Sequence, residues 1–79
     1  MSSQYPTKRF GEKLRTLRRA KGMAIKELAS ELGYTSHGYI SEIETGKKVP
    51  TVEFVLKISR LFRVPTDQLL KDELDLPRD

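Results

Sequence analysis

The side chains that could carry out catalysis or hold a metal are scarce in this sequence. Cysteine is absent and His37 is the only histidine, so the usual ligands of a zinc site are missing. No glycine-rich loop could cradle phosphates, and no carboxylates are paired in a way that marks a catalytic pocket. A chain of 79 residues also encloses little room for a substrate. We therefore expect no enzyme, no metal site and no cofactor.

Residues 33–50, GYTSHGYISEIETGKKVP, combine uncharged hydrogen-bonding side chains with two glutamates and two lysines. A lysine attracts the phosphates of a nucleic acid, and a carboxylate can accept a hydrogen bond from the amino group of cytosine. Lys47 and Lys48 are the lysines of this segment, and residue type alone leaves open whether they bind phosphates or only solvate a helix surface. Glu42 fits the role of the carboxylate, or it is a solvated position that lies beside the nucleic acid without touching a base. This segment is the candidate for a binding function.

Charge alternates along the chain, whose formal net charge is +4. Residues 8–26 sum to +7, residues 27–46 to −4, residues 47–63 to +4 and residues 64–79 to −3. Two basic segments on either side of an acidic one would form a phosphate-binding rim if the fold brings them together. The alternative is that these lysines and arginines only solvate helix surfaces, and charge alone does not decide between the two.

The elements that must position these side chains are predicted to be five short helices. Apolar residues recur at steps of three and four along almost the whole chain, which is the period of a helix. The predicted starts are Thr7, Ser36, Thr51 and Thr66, and the predicted stops are Gly22, Gly33 and Gly46. The predicted inward-facing residues are Phe10, Leu14 and Leu17; Ile25, Leu28, Ala29 and Leu32; Ile40 and Ile43; Val52, Val55, Ile58 and Phe62; Leu69 and Leu70.

Five helices joined by short links predict an all-α fold, a compact five-helix bundle. Residues 1–6 are expected to be a disordered N-terminal arm, residues 7–74 the folded domain and residues 75–79 a frayed tail. No apolar run reaches the ~20 residues of a membrane span, and no signal peptide is recognisable. We expect a cytoplasmic protein of the prokaryotic cytosol or nucleoid, with no membrane partner.

Four residues have the size and spacing that a helix-turn-helix needs. Ala29 is small where a second helix would cross, and Gly33 tolerates the positive φ of the turn. Ile40 and Ile43 would anchor the second helix inwards. Three segments carry a family resemblance together with these four residues: LRTLRRAKGMAIKELASELG, ISEIETGKKVPTVEFVLKIS and VPTDQLL. Over roughly residues 10–72 the sequence resembles the Cro/cI-type helix-turn-helix domain, the XRE family of repressor-like regulators.

The resemblance implies a lambda repressor-like fold and a transcription regulator that binds double-stranded DNA. Helix 2, about Ile25–Leu32, would cross the DNA backbone, and helix 3, about His37–Thr45, would enter the major groove. The implied base contacts are His37, Gly38, Ser41 and Glu42. The implied phosphate contacts are Ser36, Lys47 and Lys48. Apart from the family pattern, Tyr39 is expected either to contact the sugar-phosphate backbone or to pack on helix 2, and Arg9, Lys13 and Lys26 are further phosphate candidates whose orientation the helix pattern does not decide. The same resemblance pairs Arg18 with Glu44 as a structural ion pair.

The sequence departs from the family pattern around helices 2 and 3. Six residues separate Gly33 from Ile40, where the family usually has five, so Tyr34 is expected either to plug the core under a longer turn or to reach a phosphate. Ala24 stands where the family usually has a capping Ser or Thr, which should cost ~1 kcal/mol. Gly38 either allows a close approach to DNA from within helix 3 or indicates that this helix starts later.

One such module buries little DNA surface, so a homodimer on an inverted repeat is expected. Phe54, Leu61 and Leu74 are the predicted dimer interface, with Leu69 and Leu76 beside them. The alternative is that these side chains pack within one chain. A protein-interaction module of antitoxin-like or accessory type, with an unknown partner, is the alternative function.

Overall fold

The computed structural model describes residues 9–76 and contains five α-helices and no strand in that range. The predicted all-α bundle is confirmed. The helices are α1 (Phe10–Ala20), α2 (Ile25–Leu32), α3 (Gly38–Glu44), α4 (Val52–Phe62) and α5 (Thr66–Leu70). Thr7, the predicted arm of residues 1–6 and residues 77–79 of the predicted tail lie outside the described residues.

Every helix contributes side chains to one central core. Each fully buried Leu, Ile or Phe contributes about 1.5–3 kcal/mol relative to an exposed one, so this cluster is the main driving force for folding. The buried apolar residues are Phe10, Leu14, Leu28, Ala29, Leu32, Ile40, Ile43, Phe54, Val55, Ile58, Val64 and Leu69. Most of the predicted inward-facing positions are therefore confirmed.

Helix α4 turns a different face to the core than the sequence predicts. Val52 was expected to face inwards but is 77% exposed, whereas Phe54 was expected at the surface and is 0% exposed. The Phe54 ring packs edge-on against Phe10 and Tyr39, with centroids 6.1 and 5.3 Å apart, and the Tyr34 centroid lies 5.9 Å away. The predicted dimer interface is wrong at this residue, because a fully buried ring cannot contact a second chain.

The other members of the predicted interface also pack within the chain. Leu69 is fully buried, and Leu61 and Leu76 are partly buried against the core. Leu74 is half-buried, and its carbonyl accepts a hydrogen bond from Lys13. The intrachain alternative is the one observed for this cluster.

Helix α1 approaches α3 so closely that only glycine fits at Gly11. A Cβ atom on Gly11 would lie 2.5 Å from the carbonyl oxygen of Ile43 and 2.6 Å from that of Glu44. The end of α3 therefore rests directly on the backbone of α1. This glycine was not among the predicted positions.

Two helix starts show how side chains replace missing backbone partners. The Thr51 hydroxyl accepts a hydrogen bond from the Phe54 N–H at 3.1 Å, as predicted for the cap of α4. Ala24 has no such side chain, but the Glu27 carboxylate accepts from the Ala24 N–H at 2.8 Å. Half of a capping box is thus present at α2, and it offsets part of the expected cost.

The first helix and the segment after α5 are joined by a set of polar contacts that we call the terminal clasp. Lys13 is 2% exposed, and its Nζ donates to the carbonyls of Gln68, Lys71 and Leu74 at 2.6, 2.9 and 2.7 Å. Burial lowers the pKa of this ammonium group, and the neighbouring Arg9 charge lowers it further.

Arg9 completes the terminal clasp. Its backbone N–H donates to Asp72 Oδ1 at 2.9 Å, and its Nη1 donates to the Asp72 carbonyl at 2.6 Å. Its Nη2 also lies 3.3 Å from Asp75 Oδ1. Arg9 and Lys13, expected as phosphate contacts, are thus committed to contacts within the chain, and Asp75 of the predicted tail takes part in them.

Candidate nucleic-acid interface

One face of α3 is turned away from the core. Gly38, Ser41, Glu42 and Thr45 are spaced i, i+3, i+4 and i+7, which places them on the same side of a helix. All four are half-buried or exposed, whereas Ile40, Ile43 and Glu44 on the other side are buried. We call these four residues the α3 face. It includes three of the predicted base contacts, and Thr45, which was not predicted, could have been found by extending the same spacing.

The start of α3 differs in detail from the prediction. The helix begins at Gly38, and exposed His37 precedes it as the N-cap residue. The Ser36 hydroxyl, one residue before the N-cap, accepts a hydrogen bond from the Gly38 N–H at 3.2 Å, so this predicted phosphate contact also satisfies the first N–H of the helix. Gly38 therefore occupies the first position of α3 rather than its interior. A Cβ atom there would meet only the Ser36 hydroxyl, at 3.4 Å.

The turn after α3 brings two lysines back towards the helix. Gly46 has a φ of +83°, a left-handed conformation in which glycine is unstrained. In this conformation the Gly46 N–H donates to the Ile43 carbonyl at 3.2 Å, and the Lys47 N–H donates to the Glu42 carbonyl at 2.8 Å. These are the two hydrogen bonds of a Schellman motif. The Lys48 N–H also donates to the Glu42 carbonyl, at 3.2 Å.

This turn places the Lys48 side chain beside Glu42. Lys48 Nζ lies 3.4 Å from Glu42 Oε1, and the two side chains are 55% and 44% exposed. The same ammonium group lies 5.9 Å from the centre of the Tyr39 ring. Lys47 is exposed and forms no salt bridge within residues 9–76. The one carboxylate of the α3 face is thus partly neutralised by its own chain.

Glu44 faces the opposite way and ties α3 to α1. Arg18 Nε and Nη2 donate to its two carboxylate oxygens at 2.7 and 3.1 Å, with the Glu44 side chain 1% exposed. Arg18 also donates to the Met23 carbonyl at 2.8 Å. The hydrogen bond to Glu44 raises the pKa of Arg18 further above its usual value. The structure brings together the pair that the family resemblance implies.

A second arginine, which was not predicted to do so, also contacts Glu44. Arg15 Nε lies 3.3 Å from Glu44 Oε1, from a half-exposed side chain. Arg15 and Arg18 are one turn apart on α1, so their spacing could have indicated a shared partner.

Tyr39 and Tyr34 pack under the turn rather than at its surface. Their ring centroids lie 5.6 Å apart. The Tyr39 hydroxyl is buried and has no hydrogen-bond partner among the described residues, so the expected phosphate contact does not fit this geometry. Tyr34 packs against the core, which is the first of the two alternatives given for it above. Lys57 Nζ lies 4.7 Å from the centre of the Tyr34 ring. Lys57 also donates to the Leu32 carbonyl at 3.2 Å, which fixes α4 to the end of α2.

Two other kinds of functional element are not found in the part of the chain that the structure describes. Within residues 9–76 no three His, Cys, Asp or Glu side chains are grouped to hold a metal. In the same range, no helix has the length and apolar character needed to cross a membrane. Lys26 is exposed at the start of α2.

Comparison with known proteins agrees with this architecture. The family described as "Helix-turn-helix" matches residues 14–69. The chain is 42% identical to the HTH-type transcriptional activator BcrR of Enterococcus faecalis over 64 residues, which cover 81% of this chain and 31% of that protein. It is 40% identical to the SPbeta prophage-derived uncharacterized HTH-type transcriptional regulator YonR of Bacillus subtilis, over 78% of this chain and 56% of that protein. The chain thus spans about a third to just over half of these relatives.

Among solved structures, the chain resembles the N-terminal DNA binding domain of SinR from Bacillus subtilis. The TM-score is 0.73 at 29% identity, over 82% of this chain and 94% of that one.

Proposed function

Because the chain belongs to the helix-turn-helix family, as its sequence resemblance indicated, we propose that it is a transcriptional regulator that binds double-stranded DNA in a sequence-specific manner. The observation that carries the proposal is the α3 face. It is polar and at least partly exposed along its whole length, and it ends in a turn that carries two lysines. The major groove of B-DNA, about 12 Å wide, admits a helix of this kind.

The proposed contacts divide into base readers and phosphate anchors. Gly38, Ser41 and Glu42 on the α3 face, with His37 just before it, would meet base edges. Ser36, Lys47 and the backbone N–H groups at the starts of α2 and α4 would meet phosphates, and Lys48 lies beside Glu42. Small side chains at Gly38 and Ser41 would allow α3 to approach the bases closely.

We place the regulator on an inverted repeat as a homodimer, because one module of this size gives limited specificity. The predicted interface at Phe54 is replaced by another candidate. Val52 and Leu56 are one turn apart on α4 and are exposed, and Val49 lies exposed just before that helix. Acting on DNA would place the protein in the prokaryotic cytoplasm.

A protein-interaction module is the second candidate function. The same exposed Val49, Val52 and Leu56 favour it, because apolar side chains grouped at a surface often mark a protein contact. On this reading Glu42 would face a protein surface instead of a base.

Selection from random DNA followed by affinity measurement separates the two. The regulator should enrich an inverted repeat whose half-sites lie about one helical turn apart. Its affinity should fall steeply with salt, and Lys47→Gln should lower the slope of log K against log salt by about 1. Failure of the wild-type protein to enrich any sequence would reject DNA recognition and favour the second candidate.

A further inference from the structure

We propose that Glu42 and Lys48 act together as one acceptor–donor pair that reads a C·G base pair, with Glu42 facing the cytosine and Lys48 the guanine. This rests on the proposed function. It assigns Lys48 to base recognition, whereas a lysine after the recognition helix would ordinarily be given to a phosphate.

The first support is that the two side chains have the same reach. Lys48 Nζ is 3.4 Å from Glu42 Oε1, so any base edge that the carboxylate reaches also lies near the ammonium group. Both side chains remain about half exposed, which leaves donor and acceptor capacity for a ligand.

The second support is that the backbone sets this arrangement. The Glu42 carbonyl accepts from the N–H groups of both Lys47 and Lys48, which fixes the turn against the last part of α3. The Lys48 ammonium group lies 5.9 Å from the centre of the Tyr39 ring, a cation–π distance that favours this side-chain position. Lys47 emerges from the same turn but has no carboxylate partner within residues 9–76.

The chemistry of the major groove then selects one base pair. Cytosine presents only an amino donor, and the paired guanine presents the O6 and N7 acceptors. A carboxylate beside an ammonium group matches this pattern. An A·T pair also offers an amino donor, adenine N6, beside an acceptor, thymine O4. There, however, the carboxylate would lie next to the adenine N7 acceptor, and the ammonium group would have one acceptor flanked by the thymine methyl group instead of the two acceptors of guanine. A carboxylate alone would be repelled by the nearby phosphates, and the ammonium group offsets this repulsion.

The test compares base preferences rather than affinity alone. Binding sites are selected from random DNA with the wild-type protein, and single-position variants of the recovered site are then titrated against wild type, Glu42→Gln, Lys48→Met and the double variant. We expect one C·G position per half-site to be preferred by about 5- to 150-fold in the wild type. Either single substitution should reduce that preference, and the double variant should lose little more, which is the non-additivity of a coupled pair.

The matched control is Lys47→Met, which should weaken binding to all sequences by one common factor and leave the C·G preference intact. Lys48→Arg should restore the preference lost in Lys48→Met. The proposal is overturned if Lys48→Met behaves like Lys47→Met, or if no base position responds to Glu42→Gln. If the wild-type protein enriches no sequence, both this proposal and the proposed function are overturned. If it enriches a site in which no base pair responds to Glu42→Gln, only the proposal for the Glu42–Lys48 pair is overturned. Circular dichroism of each variant verifies that it is folded.

Discussion

Lysines occur both in the terminal clasp and beside the α3 face, and the two surroundings are opposite. Lys13 is buried and satisfied by three backbone carbonyls, whereas Lys48 is exposed and shares a single carboxylate at 3.4 Å. A buried ammonium group that loses its partners is costly, while an exposed ion pair contributes about 0–1 kcal/mol. The charges of the terminal clasp therefore stabilise the fold, whereas the charges beside the α3 face remain available to bind a ligand.

The largest effect is expected for the buried ion pair between Arg18 and Glu44, which ties α3, the helix of the interface, to α1, a helix of the clasp. Arg18→Ala should lower the free energy of unfolding by about 3–5 kcal/mol, because it leaves the buried Glu44 carboxylate with only the partly exposed Arg15. Urea denaturation measures this. As a control, replacing Arg18 and Glu44 together by methionine should cost less than Arg18→Ala alone. An unchanged unfolding midpoint in Arg18→Ala would mean that the pair contributes nothing.

The contrast between Lys13 and Lys48 can be tested by replacing each of them in turn. Lys13→Met should cost about 2–3 kcal/mol, since three carbonyls lose their donor in a poorly hydrated place. Lys48→Met should change stability by no more than about 0.5 kcal/mol and act on DNA binding instead. Thermal unfolding of the two variants side by side measures the difference. Equal losses of stability would remove the distinction between clasp and interface.

Two glycines sharpen the same contrast. Gly11→Ala should cost about 2 kcal/mol, because the added methyl group overlaps the α3 backbone. Gly38→Ala should leave stability within about 0.5 kcal/mol, since its nearest neighbour is the Ser36 hydroxyl at 3.4 Å. If Gly38 serves close approach to DNA, its substitution weakens binding at constant stability. A stable Gly11→Ala protein would show that α1 can move away from α3.

The smallest expected effect is a gain. Arg63 has a φ of +58° at the end of α4, the only left-handed non-glycine residue within residues 9–76. Arg63→Gly relieves that strain and should raise stability by up to about 1 kcal/mol. Differential scanning calorimetry measures this, and a lower melting temperature would mean that the Arg63 side chain stabilises the fold in a way the helix end alone does not explain.

Local signals in the sequence were enough for most of the fold. The helical period located all five helices, and Thr51 and Gly33 marked boundaries that are observed. Of the residues chosen for the helix-turn-helix, Ala29, Ile40 and Ile43 are buried, and Gly33 has the expected positive φ. These features depend on neighbours within a few positions, where spacing and capping chemistry have direct consequences.

Features that depend on distant contacts were not predictable in the same way. The carbonyl partners of Lys13 lie 55 to 61 residues away, and Gly11 is constrained by a helix more than 30 positions further on. On α4, apolar residues occur around most of the helix, so its period did not reveal whether Val52 or Phe54 faces the core. The roles of the α3 face depend on a ligand outside the chain and stay predictions.

The clasp has a practical consequence for engineering. Since the Arg9 amide bonds the Asp72 carboxylate, the two ends of the described domain emerge side by side. A short peptide joining them would span little distance, so a circularly permuted version opened in an exposed loop should remain foldable.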